Sequence, residues 1–245
     1  KIGEEMVFLE LKKIKRKRLP FVVAIILIIS AAIQYFMGNM TYNGVSYGNE
    51  LGWFLKNDLT LSSYYIFIPV ISLIGMEIFL LEEHNNTMKN LLVIPINKKD
   101  ILLSKLFVLF IFTILYALVT FLSMCILESI SNINNIGIAF IFSYLIKYLI
   151  HGMVCYFVSV FIISIMLYFN QNIQITVAVA FIISFIGVFI SQVNIAYIYC
   201  VNAMFYISGE VNSSGYEKIV ASMIVLFIVF LDVILLKKLT QREVV

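Results

Sequence analysis

Charge and histidine are scarce in this sequence. Only 13% of its 245 residues are Asp, Glu, Lys or Arg and only two are His, where soluble domains carry about 25% charged residues. A water-solvated surface of ordinary size is therefore excluded. Three prolines and eleven glycines leave long apolar stretches uninterrupted, and no polar stretch is long enough for a second folded unit. Cys125, Cys155 and Cys200 are odd in number and lack C-x-x-C spacing. They point to small buried apolar residues rather than a disulfide framework or a metal site. With His84 and His151 alone, a multi-histidine metal site cannot be assembled. The sequence also lacks a G-x-x-x-x-G-K-[ST] loop and an H-E-x-x-H pair. No catalytic residue, metal ligand or cofactor of its own is expected, and no nucleic-acid partner. Any energy source must be a partner or an ion gradient.

What is present is apolar. Hydrophobic residues make up 62% of the chain and give a mean hydropathy of +1.02, so lipid is the expected solvent. A bilayer core of roughly 30 Å needs about 20 apolar residues in a helix, and irregular backbone is excluded from lipid contact. The expected fold is an all-α integral membrane protein, one domain over residues 1–245, with six transmembrane helices. The spans are predicted at about 21–37, 59–81, 101–127, 138–169, 173–193 and 219–236. The fourth is too long for a straight crossing, and is expected to tilt, kink or begin with a helix along the surface. The polar run Glu128 to Asn135 is expected to be a loop, and the half-apolar stretch 194–216 suits short helices in the outer leaflet. Trp53, Tyr64 and Tyr65 suit a membrane–water boundary. The apolar run after Arg18 has no small-residue cleavage site behind it and is read as a retained helix. Because the chain opens at Lys1, a few residues are expected ahead of it.

Basic residues fall in three clusters. Seven of the 17 Lys and Arg precede Pro20, four lie between Lys89 and Lys105, and three follow Leu236. Basic loops stay cytoplasmic, so six crossings with both ends inside put all three clusters on one face. Residues 1–19 read either as an interfacial helix among anionic headgroups or as a positive flank that fixes orientation.

The longest polar connection on that face, 82–100, opens on Glu82 and Glu83. Asn85, Asn86 and Thr87 can cap a helix; Met88, Leu91 and Leu92 share a face, Lys89 adds charge, and Pro95 ends it. The expectation is a short amphipathic helix lying across the membrane surface. Here the chain resembles the ABC-2 family of ABC exporter permeases. Its loop between spans 2 and 3 opens on acidic residues and continues with Gly-Thr, Leu-Leu, a Pro followed by Ile or Val, a basic residue and a Lys entering span 3. Glu82 and Glu83, Thr87, Leu91 and Leu92, Pro95 and Ile96, Lys98 and Lys105 stand at matching places. Asn86 replaces the usual Gly, and Lys98 a common Arg. The resemblance implies that residues 82–95 are a coupling helix seated in a separate ABC ATPase subunit, in two copies, which would bind the ATP and Mg. It further implies a second permease, identical or homologous, and a bacterial cell membrane.

Within that family, permeases of this size resemble those serving lantibiotic immunity, bacitracin resistance and peptide-toxin export. The implied substrate is a hydrophobic or amphipathic peptide drawn from the membrane. Other readings stay open: a membrane scaffold or sensor that transports nothing, and an intramembrane protease using Glu82, Glu83 and His151. Charges inside the membrane also need a reason. Ser143, Lys147 and His151 recur every four residues, so they share a helical face and could line a translocation pathway or gate, or serve as an anchor. Glu77 and Asp232 are expected near cytoplasmic helix ends, satisfied by snorkelling or a nearby Lys.

Overall fold

The computed structural model describes residues 7, 8, 10, 12, 13, 19–42, 44–84, 98–132 and 137–241. Helix α1 spans Leu19–Gly38, with Pro20 in its first turn, where a missing N–H costs nothing. A small hairpin follows, β1 (Thr41–Tyr42) against β2 (Val45–Ser46), antiparallel with Thr41 opposite Ser46. Gly44 in its turn takes φ +81°, a conformation that costs glycine least.

The second span is built from three pieces: α2 (Trp53–Leu61), a π turn (Ser62–Ile66) and α3 (Phe67–His84). It starts at Trp53, ahead of the expected position, because the polar residues Asn57 and Asp58 find partners inside the bundle. The π turn has a cause in sequence. Pro69 cannot donate to the Tyr65 carbonyl, and its ring crowds it, so the preceding turn widens and Phe67 N–H bonds to Ser62 O instead. Neighbouring helices satisfy the disturbed backbone. Ser184 Oγ donates to Tyr64 O at 2.6 Å and Ser63 O at 3.3 Å, and Ser159 Oγ donates to Ile68 O at 3.3 Å.

The remaining helices are α4 (Lys98–Asn132), α5 (Ile138–Tyr168), α6 (Ile173–Ile190), α7 (Cys200–Ile207) and α8 (Gly215–Gln241). A 3-10 turn at Ala196–Ile198 precedes α7, so the half-apolar stretch does hold short helices. Helix α5 runs unbroken for 31 residues, about 46 Å, without a separate surface helix at its start. Helix α4 extends through Asn132, so Glu128 is helical rather than in a loop. Among the described residues, six helices are long and apolar enough to cross a membrane.

Spans 2 and 4 form the centre. Helix α3 packs on α5 and α6, while α5 also packs on α4 and α8. Phe67, Ile68, Ile71, Ile74 and Met76 of α3 meet Val158, Ile162 and Ile163 of α5 in the buried core. Small residues permit the close approach: a Cβ on Gly75 would collide with Ile163 Cδ1, and one on Gly152 would lie 3.1 Å from Ala117 Cβ. Helix α1 lies at the edge, tied to α2 by Asn57 Nδ2 donating to Gln34 Oε1 at 2.8 Å. Phe21, Ile28 and Phe36 on α1 and Leu226, Phe227 and Phe230 on α8 are exposed, an outer surface suited to lipid tails.

At the start of the chain, residues 7, 8, 10, 12 and 13 are helical, and Lys13 Nζ donates to Glu10 at 2.6 Å. Asn85, Asn86, Thr87, Met88, Lys89, Leu91, Leu92 and Pro95, which carry the expected coupling helix, lie outside the described residues. Glu82 and Glu83 are in the last turn of α3.

Candidate functional site

A buried polar seam crosses the half of the bundle farthest from the chain termini. It is assembled from α2, the π turn, α5 and the turn after α7. On α5, His151 stands four residues after Lys147 and three after Tyr148, and so shares a side of the helix with each. Tyr148 is fully buried, and its hydroxyl lies 2.9 Å from Asp58 Oδ2 and 3.1 Å from Leu55 O. Ser62 Oγ donates to Asp58 Oδ1 at 3.1 Å. Asp58 therefore holds hydroxyl donors on both oxygens, which a carboxylate removed from water requires.

His151 is fully buried one turn farther along. Its Nδ1 is 2.7 Å from Ser63 Oγ and its Nε2 is 3.0 Å from Ser208 Oγ. Ser208 Oγ also lies 3.3 Å from Phe205 O, an acceptor for its proton. Both ring nitrogens thus have a hydroxyl partner, with donor and acceptor roles set by the tautomer. Phe205 meets its ring edge-on at 4.7 Å and stacks on Tyr64 at 4.9 Å. Tyr64 is buried inside the bundle.

Lys147 closes the far end of the seam. Its ammonium pairs with Glu210 Oε2 at 2.7 Å and lies 4.5 Å from the centre of the Tyr144 ring. The two side chains are 18% and 6% exposed, so the pair is largely shielded from solvent and ions. Together, His151–Ser208 and Lys147–Glu210 fasten the turn after α7 to span 4 by polar contacts. Ser143, expected on the same face, is exposed and makes no hydrogen bond among the described residues. Sequence reading thus found Lys147 and His151 but missed Asp58, Tyr148, Ser63, Ser208 and Glu210. An Asp continuing into an apolar run, and a Tyr between two flagged residues, were the available signals.

Beside the seam, Glu128 of α4 anchors the start of α2. Gly52 N–H donates to Oε1 at 2.7 Å and Phe54 N–H to Oε2 at 3.3 Å. Asn132 Nδ2 bonds to Glu128 Oε1 and to Gly48 O, both at 2.9 Å. A carboxylate from another helix thereby caps the otherwise unpaired N–H groups of α2.

This geometry removes the protease reading. His151 is held by Ser63, and Glu82 comes 19 residues later along a continuous helical span, roughly 28 Å away at 1.5 Å per residue. The paired glutamates and the histidine cannot share a metal or a water. Among the described residues, no three His, Cys, Asp or Glu side chains converge to hold a metal ion.

Compared with known families, residues 6–187 match the family model described as ABC-2 family transporter protein. The match takes in the first four spans and most of the fifth. No curated protein matches the chain.

Proposed function

The chain belongs to the ABC-2 family of transporter proteins, and on that premise we propose that it is the permease subunit of an ATP-driven exporter of hydrophobic or amphipathic peptides. Family membership, which makes the chain a transport component rather than an enzyme, is the observation that carries this reading. Hydrolysis of ATP with Mg belongs to a separate ABC ATPase in two copies, which grips residues 82–95. A second permease, identical or homologous, completes the pathway. The three basic clusters support an orientation with both termini in the cytoplasm, in this reading that of a bacterial cell. The peptide is an antimicrobial or toxic one taken from the membrane, consistent with a bundle whose outer surface is apolar.

In this reading Lys147 and His151 act at a gate. Closure of the ATPase dimer moves the spans as rigid bodies, and the fastening between span 4 and the turn after α7 breaks and reforms. Polar fasteners suit that role because each partner can exchange its bond for water, whereas interlocked apolar side chains cannot.

The test is purification of the chain with its ATPase, followed by reconstitution in lipid vesicles. The ATPase should copurify with the wild type and be lost when Leu91 and Leu92 become Asp. Added cationic amphipathic peptide should stimulate hydrolysis. Association undiminished by the double substitution would overturn the coupling role of 82–95. A complex that binds peptide with no change in hydrolysis and no export would favour a non-transporting scaffold or sensor.

A further inference from the structure

Between Lys218 and Lys237, α8 carries one ionisable residue, Asp232. Most of this helix faces outward, yet Asp232 is 4% exposed and so turns into the bundle. Among the described residues, neither carboxylate oxygen has a hydrogen-bond partner. Among the described residues, neither snorkelling nor a neighbouring Lys satisfies it.

Three other inward-facing carboxylates are treated differently. Asp58 receives Tyr148 and Ser62, Glu128 receives two backbone N–H groups and Asn132, and Glu210 receives Lys147. Each is equipped to be an anion. Asp232 is not.

The groups that face it are accounted for. From α5 comes Tyr156, whose hydroxyl already donates to Leu106 O of α4 at 3.1 Å. Next to Leu106, Lys105 turns its ammonium to Phe79 O of α3 at 3.2 Å and toward the Phe79 ring. Lys237 and Lys238 on α8 are more than a turn away. At the far end of α8, Tyr197 lies against Tyr206 and Tyr216, and position 216 is about 24 Å along the helix from Asp232. Among the described residues no donor or cation compensates an anion at this point, and a bare carboxylate in such surroundings neutralises itself by taking up a proton.

We propose that Asp232 is a proton-binding site inside the bundle: in this packing it is a carboxylic acid, and it releases its proton to water only when α8 moves enough to admit water or a Lys. The binding itself is independent of what the chain transports. Its consequence, that the conformational cycle takes up and releases a proton at Asp232, rests on the exporter reading above.

Infrared spectroscopy of the full chain in lipid at neutral pH, with Asp isotopically labelled, tests the site directly. A protonated-acid carbonyl band should be present in the wild type and lost in Asp232→Asn; carboxylate bands alone would overturn the proposal. Asn resembles the neutral acid in shape, so this variant should fold. A second readout is thermal unfolding against pH. Above the ordinary aspartate range near pH 4, the unfolded chain has released a proton that the native state keeps. Wild-type stability should therefore fall as pH rises through the native titration, and Asp232→Asn should lose that slope. Equal slopes would overturn the site. With the ATPase and a cationic peptide reconstituted, the pH dependence of export should flatten in Asp232→Asn. An acid band with identical export profiles would overturn the coupling alone. An acid band with no export by either protein would leave the site standing and overturn the exporter reading.

Discussion

The hydroxyl of Tyr148 on span 4 sits 2.9 Å from the Asp58 carboxylate on span 2. With Ser62 on the other oxygen, it lets a charged residue stay in the bundle centre. Tyr148→Phe should leave that carboxylate short of a donor and destabilise the protein by about 1.5–3 kcal/mol, the usual worth of a hydrogen bond to a charged group. Adding Asp58→Asn should recover part of the loss. Denaturant midpoints of the single and double variants in detergent check this, and strictly additive effects would contradict it.

Glu128 acts as a helix cap delivered from another helix. Glu128→Ala should cost about 1–2 kcal/mol, as loss of a capping side chain does. Glu128→Gln should cost less, since an amide offers one oxygen where the carboxylate offers two. Thermal midpoints should rank wild type, Gln, Ala.

The contact between Gly75 and Ile163 is specific to one atom. Gly75→Ala drives a methyl group into Ile163 Cδ1 and should cost about 1–3 kcal/mol, as overpacking of a filled core does. Ile163→Val removes that atom and should rescue much of the loss. Failure of rescue would place the strain elsewhere.

Lys147 and Glu210 form a pair whose worth shows when charges are exchanged. Lys147→Glu or Glu210→Lys alone should cost about 3 kcal/mol, the lower end for breaking a shielded pair, and should slow export. The double exchange should restore stability more fully than rate, because Lys147 also lies on the Tyr144 ring. Stability of both singles and the double, followed by peptide export in vesicles, measures the two separately.

The spans were legible because lipid imposes long apolar runs, and α1, α5 and α6 fall within a few residues of their expected bounds. Polar residues misled where the bundle itself supplies the partners. Lys56, Asn57 and Asp58 look like a loop until Gln34 and Tyr148 stand beside them, and Glu128 looks like a loop until Gly52 does. Such partnerships join residues 23 to 90 positions apart, beyond what local pattern reveals. The hairpin at Thr41–Ser46 had a local signal, Asn43–Gly44, that was not used. Pro69 was visible as well, but its effect depends on Ser184 receiving the displaced carbonyls.

One extra residue per turn at Ser62–Ile66 has a geometric outcome. An α-helix advances about 100° per residue, so an inserted position rotates everything after it by about that angle relative to everything before. Asp58 and Leu59 ahead of the insertion, and Phe67, Ile68 and Ile71 behind it, are all buried. A single uniform cylinder would carry those two sets on differently directed sides. The insertion works as a twist collar that realigns them, and it places the collar where Ser63 reaches His151.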